Sequence, residues 1–188
     1  AADVKINANT VDTLTFSSGN EITLNLDQEN FASGKGNQSG STYASAMLTA
    51  NNKTNTATEH YYLYLNISDN TFTYSINENT PEIIMTVTDN TGAEVTDIST
   101  LNHVIVTGAD GTQVSGYDIT YKSGLITLFN NREITANPSK EEKWNIKVTF
   151  VNYDENQNAN AGKSMSAKVM IQRKKIIAYI SDMCSSND

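Results

Sequence analysis

Short runs in which apolar and polar residues alternate recur along the chain, and this two-residue rhythm limits its fold more than any other feature. The opening shows it without a fault. Ala2, Val4, Ile6 and Ala8 fall on one side, and Asp3, Lys5, Asn7 and Asn9 on the other, as in a strand with one buried face. Residues 11–16 and 21–26 read as a pair of strands around the turn Ser17-Ser18-Gly19-Asn20. Residues 27–42 lose the rhythm and read as loop, centred on the Gly- and Ser-rich stretch 33–40. Alternation resumes at Ala44, Ala46, Leu48 and Ala50, and a polar turn is expected over 51–59. Residues 61–67 are filled on both faces, as an interior strand would be.

Strands are expected next at 72–76 and 82–88, with Asp89-Asn90-Thr91-Gly92 as a tight turn after them. Residues 104–106 lead into a turn at 108–111, and 117–121 with 125–129 read as a hairpin across Lys122-Ser123-Gly124. Residues 143–152 and 164–172 are the two longest clear runs, joined by 153–163. Such spacing predicts an all-β fold: a jelly-roll-like antiparallel β-sandwich over residues 1–172, with 1–10 as a candidate donor strand. The remainder, 173–188, reads as a helical tail or linker. Ile176, Ile177, Tyr179, Ile180, Met183 and Cys184 recur at helical spacing, which predicts a short C-terminal helix over 174–184. Its lysines at the start and Asp182 near the end oppose the helix macrodipole.

Composition excludes several functions. A formal net charge of −8 argues against nucleic acid as a partner, because phosphate binding needs a Lys/Arg surface that releases counterions. No apolar run approaches the roughly 20 residues of a membrane helix, so no membrane span is expected. No basic amphipathic stretch opens the chain as a targeting peptide would. Cys184 is alone and can form no internal disulfide. Asn and Thr number about two dozen each, while charged residues make up only 18%. Thr suits a half-buried pleated surface and Asn suits turns, a mixture typical of secreted all-β proteins.

Motifs for chemistry are sparse. His60 and His103 lie apart with no HExxH, and no G-x-S-x-G elbow is present, although a Ser-His-Asp triad needs no sequence proximity. Gly34, Gly36 and Gly40 miss the dinucleotide spacing and precede no helix. Asp154, Asn156 and Asn158 alternate like the start of a calcium loop, a weak metal candidate. Ala159 stands where such a loop needs Gly, and Met165 where it needs a bidentate Glu, so a polar hairpin loop is the competing reading. Tyr61, Tyr62 and Tyr64 would stack sugars if exposed, or pack across strands if not. Neither an enzyme nor a cofactor is expected.

Several segments in order carry a resemblance: Asp3-Val4-Lys5-Ile6, then residues 11–16 and 19–24, later Tyr61-Tyr62-Leu63-Tyr64-Leu65, and finally residues 144–150 with 154–162 beyond. Over residues 3–172 this arrangement resembles the TasA/camelysin-like surface proteins of Firmicutes. The resemblance implies a secreted jelly-roll domain with a mature N-terminus near Ala1. For the matrix-forming members it also implies extracellular fibres, in which the N-terminal strand of one subunit completes a sheet in the next. Some relatives are labelled metalloproteases, a label that this chain's lack of a zinc motif does not help. The tail after Gln172 departs from the simplest family pattern.

Two functions follow as expectations. One is a structural subunit of extracellular fibres or biofilm matrix, a homo-polymer built by strand addition through Ala2, Val4, Ile6 and Ala8. The competing use of that run is an ordinary edge strand in its own domain. The other is a cell-surface adhesin or carbohydrate-binding module, with a surface glycan or matrix partner at the loop 27–42, the aromatic strand or the acidic hairpin 154–162.

Overall fold

The computed structural model describes residues 11–26, 36–51 and 55–177. The donor-strand candidates Ala2, Val4, Ile6 and Ala8, most of the expected loop at 27–42, and Cys184 lie outside the described residues. Ten strands are described: β1 (Thr13–Ser18), β2 (Ile22–Asn25), β3 (Gln38–Thr49), β4 (Ala57–Asn70), β5 (Ile83–Thr88), β6 (His103–Thr107), β7 (Gln113–Asp118), β8 (Gly124–Ala136), β9 (Ser139–Phe150) and β10 (Ser164–Gln172). They form a six-stranded sheet in the order β1-β3-β9-β5-β7-β6 and a four-stranded sheet in the order β2-β10-β4-β8. Every pairing is antiparallel. The expected all-β sandwich is the fold of the chain.

Period two explains the core. Ile22 and Leu24 of β2, Ala44, Ala46 and Leu48 of β3, Tyr61, Leu63, Leu65 and Ile67 of β4, and Ile146, Val148 and Phe150 of β9 are all buried in one cluster. Burying a Leu, Ile or Val side chain stabilises by roughly 1.5–3 kcal/mol, and alternation puts that gain on one face of each strand. Gly116 of β7 is required for a different reason: a Cβ there would run into the Met85 carbonyl oxygen of the neighbouring β5.

Alternation says which face is buried but not which strand lies alongside, and here the structure corrects several expectations. β1 and β2 are not a hairpin. β1 pairs with β3 and β2 with β10, while the Gly19 N–H donates to the Tyr43 carbonyl as the chain leaves one sheet for the other. Residues 117–121 and 125–129 are likewise no hairpin: β7 pairs with β5 and β6, and β8 with β4. Every connection except the two flanking β6 passes between sheets. Which sheet the chain enters next is set by pairing across the fold, which local turn chemistry cannot register.

Two boundaries also move. β3 begins at Gln38, inside the stretch read as loop, because Gln38, Ser39 and Gly40 find ladder partners in Phe150, Thr149 and Val148 of β9. The turn expected over 51–59 ends early, since β4 starts at Ala57. Residues 72–76, expected as a strand, are irregular. Their main chain is satisfied by side chains instead: Thr73 N donates to Asn160 Oδ1 at 2.9 Å and Asn160 Nδ2 donates to the Thr73 carbonyl at 2.8 Å. One amide thus does for Thr73 what a neighbouring strand would do. Residues 174–177 carry no helix; the rest of the expected helix lies outside the described residues. Instead this stretch runs over the outer face of the four-stranded sheet, where Ile176 N donates to the Tyr64 hydroxyl at 3.0 Å.

Candidate functional site

The expected assembly site concerns sheet edges. The six-stranded sheet ends on β1 and β6, the four-stranded sheet on β2 and β8. Residues 1–10 enter β1 through Val11, which is 71% exposed, and Asp12, whose carboxylate accepts the Asn51 N–H at 2.9 Å. The candidate donor run is therefore attached at an edge of the wider sheet. β2 is only four residues long. β8 is thirteen residues long and borders a groove of about 520 Å³ lined by Asp97, Ser99, Thr100, Thr127, Asn130 and Arg132 among others. Thr100 Oγ1 donates across this groove to the Thr127 carbonyl at 3.1 Å. β6 ends its sheet openly, with Ile105 63% exposed.

The rings of the aromatic strand are mostly covered, Tyr61 in the core and Tyr64 on the outer face of its sheet. Tyr61 is fully buried and Tyr64 is 2% exposed; Tyr62 is half-buried and stacks on Tyr64 at 6.2 Å between centroids. Packing, not an open sugar platform, uses these rings. Tyr61 donates its hydroxyl proton to Glu142 at 2.8 Å and accepts the Trp144 indole N–H at 2.8 Å. Arg132 meets the same carboxylate with Nε at 3.0 Å and Nη2 at 2.9 Å, and its guanidinium lies 4.6 Å from the Trp144 ring centre. Burial and the Glu142 charge push the Tyr61 phenol far above its ordinary value, so it is a fixed neutral donor. The hydrogen bonds to Glu142 raise the Arg132 guanidinium further.

The calcium candidates Asp154, Asn156 and Asn158 are exposed, while Gln157 and Asn160 of the same loop turn inward. Asn156 Oδ1 accepts the Asn158 N–H at 3.2 Å, and Asp154 has φ of 58°. Met165, at the position of a bidentate Glu, is buried in β10 beside Leu24. What the loop does make is a buried polar centre that sequence reasoning missed. Glu82, fully buried, accepts hydrogen bonds from Ser75 N and Ser75 Oγ, each at 2.6 Å, from Gln157 Nε2 at 2.8 Å and from Asn160 Nδ2 at 3.1 Å. Among the described residues no cation pairs with it. Beside this centre Tyr153 donates to the Pro81 carbonyl at 2.6 Å; burial, with Glu82 and Asp118 nearby, pushes its phenol up to about 12.

His60 is exposed, 3.9 Å from Glu133 across the strand pair. His103 lies nearer to chemistry, for its Nε2 is 2.8 Å from Glu94 Oε1, and Ser115 Oγ is 2.6 Å from Glu94 Oε2 and 3.4 Å from the same Nε2. A nucleophilic triad needs the base to meet the acid through one ring nitrogen and the hydroxyl through the other. Here both partners share one nitrogen, and the hydroxyl donates to the carboxylate instead. The arrangement ties β6 and β7 to Glu94 rather than activating Ser115. Gly36 and Gly40, the described members of the glycine group, lie just before and within β3, not at a helix start. The chain matches no described protein family, no curated protein and no solved structure.

Proposed function

We propose that this chain is a secreted structural subunit of extracellular fibres or matrix, joined by strand addition of its N-terminal run to a sheet of the next copy. The observation that carries the reading is the attachment of residues 1–10 to an edge strand: β1 has only β3 beside it among the described strands. A run leaving an edge can pair elsewhere without opening its own sheet. Val4 and Ile6 would each contribute roughly 1.5–3 kcal/mol once covered, and main-chain ladder bonds would add to that. The four-stranded sheet is narrower than its partner, and the long β8 edge beside the groove at Thr100 offers a place for a further strand. The resemblance to TasA/camelysin-like proteins supports the same reading, as does the Asn- and Thr-rich composition. Deleting residues 1–8 is expected to abolish polymers seen by negative-stain electron microscopy while the circular dichroism spectrum and melting cooperativity persist. Polymers that survive the deletion would overturn it.

The alternative is a surface adhesin or carbohydrate-binding module, favoured by the polar groove around Arg132, where Thr, Ser, Asn and Asp side chains offer the mixed donors and acceptors that a glycan requires. Binding on a glycan array that is lost on Asn130→Ala, in a chain that forms no polymers, would select it.

A further inference from the structure

The main chain of β6 is unpaired on one side, and its direction can be worked out. Gly108 N donates to the Thr112 carbonyl at 2.9 Å and Asp118 N to the Asn102 carbonyl at 3.0 Å, which places residues 102 and 108 in hydrogen-bonded pairs with β7. In an antiparallel ladder such pairs alternate with non-bonded ones. Through the register His103↔Tyr117 to Thr107↔Gln113, Val104 and Val106 therefore bond to β7. The N–H and C=O groups of His103, Ile105 and Thr107 point away from it, toward the open edge. No described residue covers them.

Edges are ordinarily defended by a lysine, a proline, a bulge or extreme shortness. β6 reads His-Val-Ile-Val-Thr and has no Lys, Arg, Asp or Glu, no proline and no register shift in its ladder. The sequence is also nearly its own mirror about Ile105. From this we infer that β6 is a self-association edge, at which two copies of the chain join antiparallel about a two-fold axis centred on Ile105. In that register Ile105 meets Ile105, Val104 of one copy meets Val106 of the other, and His103 meets Thr107. The outward-pointing residues are then the ones that face each other, so each such pair exchanges both N–H···O=C bonds. β-Branched side chains fall opposite β-branched side chains on both faces. An unrelated extended peptide would find the same hydrogen bonds but only by chance this match, which is why a second copy is the occupant. The two six-stranded sheets become one continuous sheet across the axis.

This contact uses no residue of the N-terminal run and goes beyond the fibre reading. The test is disulfide trapping in the full chain carrying Cys184→Ser. Hydrogen-bonded partners sit about 5.5 Å apart between Cα atoms, within disulfide reach. Ile105→Cys is expected to give a cross-linked dimer under mild oxidation. Thr107→Cys is expected to give none, because its like residue lies on the far side of the axis. Sedimentation of the Cys184→Ser chain should show association that strengthens with salt, since two chains of net charge −8 repel. Ile105→Lys should weaken that association at least tenfold while melting at an unchanged temperature, its side chain being exposed. Equal trapping at both cysteine positions, or association undiminished by Ile105→Lys, would overturn the proposal. So would trapping through Ile105→Cys that disappears when residues 1–8 are deleted, for then the N-terminal run is what covers β6. Fibres lost on that deletion with trapping retained support both readings separately; trapping without any fibres supports this one alone.

Discussion

Glu82 and Glu142 are both largely withdrawn from water, yet the chain satisfies them in opposite ways. Glu142, at 12% side-chain exposure, faces the guanidinium of Arg132, itself 36% exposed, and takes a third bond from Tyr61. Glu142 stands on β9 and its partners on β4 and β8, so the group clamps strands that already have ladders. Glu82 has neutral donors alone, and they come from connections between strands: Ser75 from the one before β5, Gln157 and Asn160 from the one before β10, where Gln157 precedes and Asn160 ends a single 3-10 turn. Those segments have little ladder of their own to fall back on. Where backbone pairing is dense, a buried charge adds a clamp; where it is sparse, a buried charge organises the loops themselves.

That contrast can be broken from the Glu82 side first. Glu82→Leu would leave the Ser75 hydroxyl and backbone N–H without an acceptor and take one of two acceptors from the Gln157 and Asn160 amides, and unsatisfied buried groups cost about 1–3 kcal/mol each when they cannot reach water. Partial relaxation should hold the total loss to about 3–5 kcal/mol in urea unfolding, with hydrogen exchange speeding up over residues 71–82 and 151–163 in particular. A loss below about 1 kcal/mol would mean that the loops are held by something else. Arg132→Met should have a smaller effect, about 1–2 kcal/mol, because the arginine is partly solvated and water can replace it. Raised salt should narrow that difference and leave the Glu82→Leu difference nearly unchanged, since Debye screening acts on the partly solvated Arg132 pair more than on the buried centre.

Tyr153 probes the margin of the Glu82 centre. Tyr153→Phe removes the bond to Pro81 and should cost about 1 kcal/mol near neutral pH. Its alkaline behaviour has a definite sign. A phenol raised to about 12 on folding keeps its proton where the unfolded chain, at about 10, has lost it. Stability contributed at lower pH is therefore lost as pH climbs from about 10 toward 12. The Phe variant should show a shallower decline over that window, measured by urea unfolding at fixed temperature; a parallel decline would remove Tyr153 from the network.

What was legible in the chain follows the same division. Ala44, Ala46 and Leu48 announce their buried face because side-chain direction in a strand is a local property. Pairing is not local: the Gly19 N–H finds Tyr43, and Gln38 finds Phe150, so a polar stretch became a strand and an apparent hairpin became a crossing. Glu82 was hidden for a related reason. Ser75 sits in a run expected as a strand and Gln157 and Asn160 in one that reads as a polar loop, and their convergence is a product of the tertiary fold. The one available signal was a carboxylate abutting the apolar run Ile83 to Val87, where a charge needs partners if the run is buried.

The smallest expected effect separates the two faces of one loop. Asn158 and Asn160 are two residues apart, yet Asn160 is buried on Thr73 and Glu82 while Asn158 is exposed. Asn160→Ala should behave as a milder Glu82→Leu, and Asn158→Ala should stay within about 0.5 kcal/mol, as surface changes away from special features do. The comparison is also the sharpest test of the calcium reading. An oxygen-lined calcium site binds through the exposed set Asp154, Asn156 and Asn158, and binding to the folded state alone would raise the melting temperature with added calcium. Inward anchoring by Gln157 and Asn160 requires no ion. The melting temperature is therefore expected to be the same in calcium and in chelator, for the natural chain and for Asn158→Ala alike. A calcium-dependent rise that Asp154→Ala abolishes would instead make the outer face of this loop a metal site and the inner face its support.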